Sequence, residues 1–222
     1  MLLVTGCGGP LSALDPATEA AARIAGLWWV MLTAAVVIFT GVIGLFLWTF
    51  RQGREAGSAS PRLFLIGGGI VFPMVTLTAL LVYALGFGQW LLPRHGEEVV
   101  RVEARGQQWR WEFTHYDGEG RAIRTVNALH LPAGRPIEVT VVSADVIHGF
   151  WVPRLAGKID AVPGHTNVLR IDGATPGTYQ GVCAEFCGLE HTRMRFEAIV
   201  HPAYRYPDVL RALADGAEGV TP

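Results

Sequence analysis

Residues 181–196 read GVCAEFCGLEHTRMRF. Cys183 and Cys187 stand four apart; His191 follows after three residues and Met194 after two more. His148 lies 35 residues upstream of Cys183, in the stretch SADVIHGFW (143–151). Thiolate, imidazole and thioether together are soft ligands that suit copper, and less well zinc or iron. Zinc sites draw on Cys, His and carboxylates rather than Met. A mononuclear blue-copper site uses two His, one Cys and a weak axial Met. The second Cys on the same short loop points instead to two metal ions side by side. Both sulfurs would bridge them, each ion would take one His, and Met194 would cap one of them. For the cysteines alone, the alternative is a Cys183–Cys187 disulfide in an oxidising compartment, which gives His148, His191 and Met194 nothing to do. The other histidines (His95, His115, His130, His165 and His201) lack such neighbours and read as surface or internally satisfied residues.

Around this loop the chain is strand-like. Short runs rich in Val, Ile, Thr and aromatics predict strands at 97–104, 108–113, 137–143, 166–172, 178–182 and 195–200. Turn signals separate them: Asp117-Gly118, Pro132 to Gly134, Pro163-Gly164 and Pro176-Gly177. Several short strands at such spacing predict an antiparallel sandwich or barrel. A short helix over 207–215 closes the pattern, and no internal repeat is present.

Upstream, the composition changes. Ile24 to Phe50 is 27 residues without a charge, and Leu63 to Pro93 is 31 more. A membrane span needs about 20 apolar residues, so the sequence predicts a transmembrane α-hairpin over 23–93. The intervening loop holds Arg51, Arg54 and Arg62 against Glu55, the excess expected on the cytoplasmic side. Acids accompany the basic residues at the outer ends (Asp15 and Glu19 with Arg23; Glu97 and Glu98 with Arg94). Both termini then face outward. Trp28, Trp29 and Trp90 fall at the outer interface and Trp48 at the inner one, as an aromatic belt requires. Pro73 and Gly67-Gly68-Gly69 sit inside the second helix, where a kink or packing on another membrane subunit would re-satisfy the backbone. Val4-Thr5-Gly6-Cys7 is similar to a bacterial lipobox with Cys7 as the acylated residue, but no Lys or Arg precedes it. The expected domains are an exported N-terminal segment (1–22), the hairpin (23–93) and an exported all-β metal domain (94–222).

Composition agrees. Only 17% of the 222 residues are charged, against about 25% in ordinary soluble domains. Mean hydropathy is +0.32, net charge is −1 and the pI is about 6.7. No basic stripe is available for nucleic acid, which excludes that partner.

The motif C-x-E-x-C-G-x-x-H-x-x-M, present as Cys183, Glu185, Cys187, Gly188, His191 and Met194, resembles that of subunit II of the haem–copper cytochrome c oxidases. The resemblance extends to DVIHGFWVPRLAGKIDAVPG from Asp145 to Gly164 and to Gln108-Trp109-Arg110-Trp111. It implies an N-terminal transmembrane hairpin followed by a cupredoxin-like barrel carrying the dinuclear copper centre Cu(A). By position, the metal ligands implied are His148, Cys183, Glu185 through its backbone carbonyl, Cys187, His191 and Met194. The Glu185 carboxylate would also reach a Mg or Mn ion shared with subunit I. Trp109 would be the exposed aromatic that receives electrons from a cytochrome c-type donor. The implied protein is a subunit of a bacterial inner-membrane terminal oxidase, with its copper domain on the periplasmic face. Electrons would pass on to haem in subunit I, where oxygen reduction coupled to proton translocation takes place.

The chain departs from the family in two ways. No acid lies in the second span, where the family commonly has a glutamate near a proton pathway; the matching position is Ile66. Arg110 and Arg154 stand where an acidic donor-docking surface is usual, leaving Asp145, Asp160 and Glu112 as candidate docking acids. Residues 94–222 hold 14 basic and 16 acidic side chains, which argues against a strongly basic donor. No C-x-x-C-H motif is present, so no haem c is attached to this chain. Neither apolar run contains a His to bind haem. The alternatives are the Cu(A) subunit of a nitric oxide reductase and a membrane-anchored copper-binding protein.

Overall fold

The computed structural model of the chain describes residues 8–51, 62–91 and 99–216. Cys7, Arg54, Glu55, Arg94, His95, Glu97, Glu98 and the side chain of Trp90 lie outside the described residues. Two compact units are present: residues 27–92, and residues 1–26 together with 93–222.

Helix α1 spans Glu19–Arg51, and α2 spans Phe72–Leu91 after a π-helical stretch at Leu63–Val71. The helical segments Glu19–Arg51 and Leu63–Gly86 are long and apolar enough to cross a membrane. Four threonine hydroxyls on these helices are satisfied internally: Thr33 donates to the Trp29 carbonyl (2.9 Å), Thr40 to Val36 (2.7 Å), Thr49 to Phe46 (2.6 Å) and Thr76 to Phe72 (2.9 Å). A lipid environment demands this, because it offers no water to a stray donor. The Gly67–Gly69 run and Pro73 produce a widened turn. Proline supplies no N–H to the preceding turn, and the Phe72 N–H bonds five residues back, to the Gly67 carbonyl, which is the π-helical pattern.

The β unit is a sandwich of two five-stranded sheets. The strands are β1 (Val100–Gln107), β2 (Arg110–Tyr116), β3 (Ala122–Val126), β4 (Ala128–Pro132), β5 (Ile137–Ser143), β6 (His148–Trp151), β7 (Ile159–Ala161), β8 (Asn167–Ile171), β9 (Gly177–Cys183) and β10 (Arg195–His201). One sheet has the order β3-β2-β1-β5-β8 and the other β4-β10-β9-β6-β7. The expectation of a purely antiparallel sandwich is corrected: β1 runs parallel to β5, and β4 parallel to β10. The reason lies at Asn127, where the chain leaves β3 in one sheet and enters β4 in the other. Asn127 takes a left-handed conformation (φ 54°), which Asn tolerates better than most residues. Its side-chain oxygen accepts the Trp111 N–H at 2.9 Å, and its own N–H donates to the Trp111 carbonyl at 2.8 Å.

Alternation along β2 buries Trp111, Phe113 and His115. Trp111 and Phe113 pack edge-on or tilted against Phe150 of β6 and Phe196 of β10, at ring separations of 5.3–6.5 Å. These four rings join the two sheets. Gly181 of β9 lies opposite Phe196, and a Cβ there would sit 2.2 Å from that ring. The C-terminal helix α3 (Tyr206–Ala214) packs Tyr206 and Leu210 on Ile123 and Val100.

The N-terminal segment belongs to the β unit. Ala17 N–H donates to the Arg154 carbonyl (2.8 Å), and the Thr18 hydroxyl to the Leu155 carbonyl (2.6 Å). Arg154 bonds the Asp15 carbonyl (2.7 Å) and carboxylate (2.9 Å) and lies over the Tyr179 ring.

Because Phe113 is fully buried between the sheets, Phe113→Ala is expected to cost about 3–5 kcal/mol of stability. Denaturant unfolding of the β unit within the full chain reads this, and a loss below about 1 kcal/mol would contradict the central place of the four rings.

Candidate metal centre

The site lies where β1, β6, β9 and the 184–194 loop meet. His148 opens β6, whose Phe150 pairs with Cys183 at the end of β9. Two backbone bonds then fix the loop: the Cys183 N–H donates to the Met194 carbonyl and the Ala184 N–H to the Gly149 carbonyl, both at 2.9 Å. A 3-10 turn at His191–Arg193 brings His191 and Met194 back toward Cys187.

The side chains form a file. His148 Nδ1 is 3.9 Å from Cys183 Sγ, which is 3.8 Å from Cys187 Sγ, which is 3.6 Å from His191 Nδ1. Met194 Sδ lies 3.8 Å from Cys187 Sγ, and the Glu185 carbonyl oxygen 3.3 Å from Cys183 Sγ. The structure thus brings together all six residues marked in the sequence. Cys183, Cys187, Met194 and His148 are buried. Both cysteines are free thiols, so the disulfide alternative is not realised here.

Electrostatics make the sulfur pair incomplete by itself. Burial opposes ionisation of Cys183, but bonds from His148, then from the Glu185 and Gly149 backbone, outweigh it and bring its pKa down to about 6. Burial and then the neighbouring Cys183 push Cys187 the other way, to about 12. Two thiolates this close cannot both be charged without a cation, and a coordinating metal removes both protons. The donor set of two sulfurs, two imidazoles, a thioether and a carbonyl therefore fits soft metal ions.

Three supporting residues carried no ligand motif. Asp145, which the sequence offered as a docking acid, points inward: its carboxylate accepts the His148 Nε2–H (2.8 Å) and the Gln108 N–H (2.8 Å). The spacing D-x-x-H was the available signal. Burial works against the Asp145 carboxylate, but these bonds and the Val146 N–H hold its pKa low. Gly106 of β1 makes room for His148, since a Cβ there would lie 2.8 Å from the imidazole. Gln108 Nε2 donates to the Cys187 carbonyl at 2.8 Å, and Trp109 Nε1 to the same oxygen at 3.3 Å. Gln108 and Trp109 were expected inside a strand; they form the tip of the β1–β2 hairpin instead, because Gln107 pairs directly with Arg110. Trp109 remains 37% exposed. Gly188 lies beneath it with φ +118°, and a Cβ there would meet Gln108 and Trp109 at 3.1–3.3 Å.

The other candidate docking acids are engaged too. Asp160 and Glu185 share Lys158 (2.7 and 3.0 Å), and Glu112 pairs with Arg110 (2.7 Å). These exposed pairs are each worth about 0–1 kcal/mol. Of the remaining histidines, expected at the surface or internally satisfied, His115, His130 and His201 are buried side by side.

Asp145→Asn keeps the shape at His148 but removes the carboxylate. It is expected to weaken copper affinity of the full chain about 10–100-fold, read by competition with a chelator. Unchanged affinity would show that Asp145 does not orient His148.

Residues 114–200 match the family described as cytochrome c oxidase subunit II, periplasmic domain, a span that contains all six residues of the file. A probable cytochrome c oxidase subunit 2 of Streptomyces avermitilis is 28% identical, over 93% of this chain and 80% of the relative. A cytochrome c oxidase subunit 2 of Alkalihalophilus pseudofirmus is 30% identical, over 89% of this chain and 61% of the relative. The β unit resembles the crystal structure of the periplasmic domain of subunit II of cytochrome oxidase of Bradyrhizobium japonicum. That likeness has a TM-score of 0.51 and 25% identity, covering 56% of this chain and 98% of that domain. Two apolar helices, a β sandwich and this motif are the features in which the chain is similar to the cytochrome c oxidase subunit II family, whose periplasmic-domain pattern it matches over residues 114–200.

Proposed function

We propose that this chain is the subunit through which electrons enter a terminal respiratory oxidase, and that it holds a dinuclear copper centre between Cys183 and Cys187. The observation that carries the reading is the pair of buried sulfurs 3.8 Å apart, flanked on each side by an imidazole. His148, Cys183, Cys187, His191 and Met194 would bind through their side chains and Glu185 through its carbonyl. Such a pair of coppers supplies one-electron transfer with little change in bond lengths, since the charge is shared over two metals and two sulfurs. The protein's part is to keep those donors still. Asp145 fixes the tautomer and orientation of His148, β9 and β10 anchor Cys183 and Met194, and the hairpin tip locks the Cys187 carbonyl. Trp109, bonded to that carbonyl and partly exposed, is the point of electron input. Each electron then passes to haem in a partner catalytic subunit, where oxygen is reduced. A Mg or Mn ion shared through the Glu185 carboxylate would take the place of Lys158, which now pairs with it.

The N-terminal segment bears on orientation. Residues 15–18 bond the β unit at Arg154, Leu155 and Thr175, which supports a hairpin whose two ends lie on one side of the membrane. Two crossings satisfy that arrangement. Arg51 and Arg62 then flank the cytoplasmic loop, with the copper domain outside.

The donor is a soluble electron carrier with a near-neutral contact face. Around the centre, Arg110 is paired with Glu112, Arg193 with Glu190, and Lys158 with Asp160 and Glu185, while Asp145 is turned inward. Exposed apolar side chains stand among these pairs: Trp109, Ile147, Phe186 and Leu189. Steering by charge is screened within about 10 Å at 0.1 M salt, and a compensated surface gains little from it. In the assembled oxidase, Trp109→Ala is expected to slow electron input at least about tenfold, a barrier rise of about 1.4 kcal/mol, with the copper absorption unchanged. Wild-type input should vary less than about threefold with ionic strength. Flash-induced reduction kinetics read both; an unchanged rate removes Trp109 from the path, and a steep salt dependence contradicts the neutral donor face.

A further inference from the structure

Below the four aromatic rings, β2, β4 and β10 each send one histidine into the core: His115, His130 and His201. His130 Nδ1 and His201 Nε2 are 2.9 Å apart. Their ring planes differ by 10° and their centres lie 5.2 Å apart. Those values describe rings lying in line, edge to edge, joined by an N–H···N bond. His115 lies 5.8 Å from His130, ring to ring, and its Nε2 is 3.2 Å from the Thr125 hydroxyl of β3. That hydroxyl donates to the Ala128 carbonyl, so its lone pair accepts the His115 Nε2–H. This assigns the tautomer and leaves His115 Nδ1 as a buried acceptor. His115 Nδ1 and His201 Nδ1 have no partner, the costly condition for a buried polar atom.

The trio is not a second metal site of the kind found at Cys183. Among the described residues only His148, Cys183 and Cys187 bring three ligand atoms within 4.8 Å of one another. The trio meets the C-terminal helix at two points, the backbone carbonyl of His130 and the Arg205 charge beside His201. The Tyr206 hydroxyl donates to the His130 carbonyl at 3.3 Å. Tyr206 also lines a cleft of about 850 Å³ between α3, β1 and the β2–β3 hairpin, so loss of α3 would open that cleft. The groups facing the rings are Thr125 from β3, the rings themselves from β2, β4 and β10, and Tyr206 and Arg205 at the start of α3, with Arg135 beside Tyr206. Among the described residues no carboxylate contributes to the electrostatics of these three rings.

We propose that His115, His130 and His201 form an acid-sensitive latch that keeps α3 docked while all three rings are neutral and releases it when they are protonated. Protonating either ring of the in-line pair at the bonded nitrogens replaces N–H···N by two opposed N–H groups. It also places positive charge beside Arg205 with no anion to receive it. The direction is set by burial first and then by the mutual effect of the rings, which bring His115 to about 3 and His130 to about 4. Burial and then Arg205 lower His201 as well. The unfolded value is about 6.5, and the folded values lie below it. The latch is therefore intact above about pH 6.5 and is lost progressively as the pH falls from there toward 4.

Hydrogen exchange on the full, copper-loaded chain in detergent tests this. Corrected for intrinsic rates, protection of amides 206–214 should fall at least about tenfold between pH 6.5 and 4.5, and that of 137–143 in β5 should fall less. A double variant, His115→Phe with His201→Gln, should reduce the fall in 206–214 to below about threefold. Protection that does not change with pH, or an equal fall in the double variant, would overturn the latch. Should the double variant fail to fold, proton resonances of the wild-type rings decide the matter. Three rings still neutral at about pH 5 support the latch, and titration near 6.5 overturns it. None of these readouts depends on the proposed electron-transfer role.

Discussion

Two buried sulfur atoms held 3.8 Å apart are the constraint on which the rest of the β unit depends. Left to themselves they would ionise only once, because a second negative charge at that distance in a buried site is too costly. The protein opposes every easy escape. Cys183 is tied by its backbone to Met194, and the Cys187 carbonyl is held by Gln108 and Trp109. The site is thus organised around missing positive charge, which soft metal ions would supply. That is why the donor atoms form a file rather than a cluster around one point.

The sandwich exists to hold this file rigid from both sides. The four rings of Trp111, Phe113, Phe150 and Phe196 lock the sheets together. The same strands that carry the rings carry the site: Phe150 is two residues from His148, and Phe196 two from Met194. Small residues then set the closest approaches. Gly106 leaves space for the His148 imidazole, and Gly188 for the Trp109 indole. At the far end the pattern of β2 continues with His115 in place of a third aromatic, where packing is exchanged for buried polar atoms.

Much of this was legible in the sequence because soft-ligand chemistry is rare and local. Four of the five side-chain donors fall within twelve residues, and the charge-free runs expose the two helices without further reasoning. Strand β5 was read with its bounds at 137–143, where alternation is strict. Strands β6 and β7, only four and three residues long, went unread, as did β3 and β4: Arg121 precedes β3 and Arg124 lies within it, and β4 ends on Pro132. The existence of β3 and β4 depends on Asn127 turning the chain between sheets, a tertiary event with no periodic signature. The parallel pairings followed from the same corner. Asp145 was visible but its direction was not, since an acid three residues before a histidine can face solvent or the ring. The histidine trio was missed for a similar reason: its members are 15 and 71 residues apart, counted 115 to 130 and 130 to 201, and only the fold brings them together.

The central claim is that Cys183 and Cys187 together hold two metal ions. Copper analysis with electron paramagnetic resonance on the full chain, loaded with copper in detergent, tests it most directly. The account predicts two coppers per chain and one unpaired electron, with hyperfine structure from two equivalent nuclei. One copper per chain with the spectrum of a single mononuclear site would contradict it.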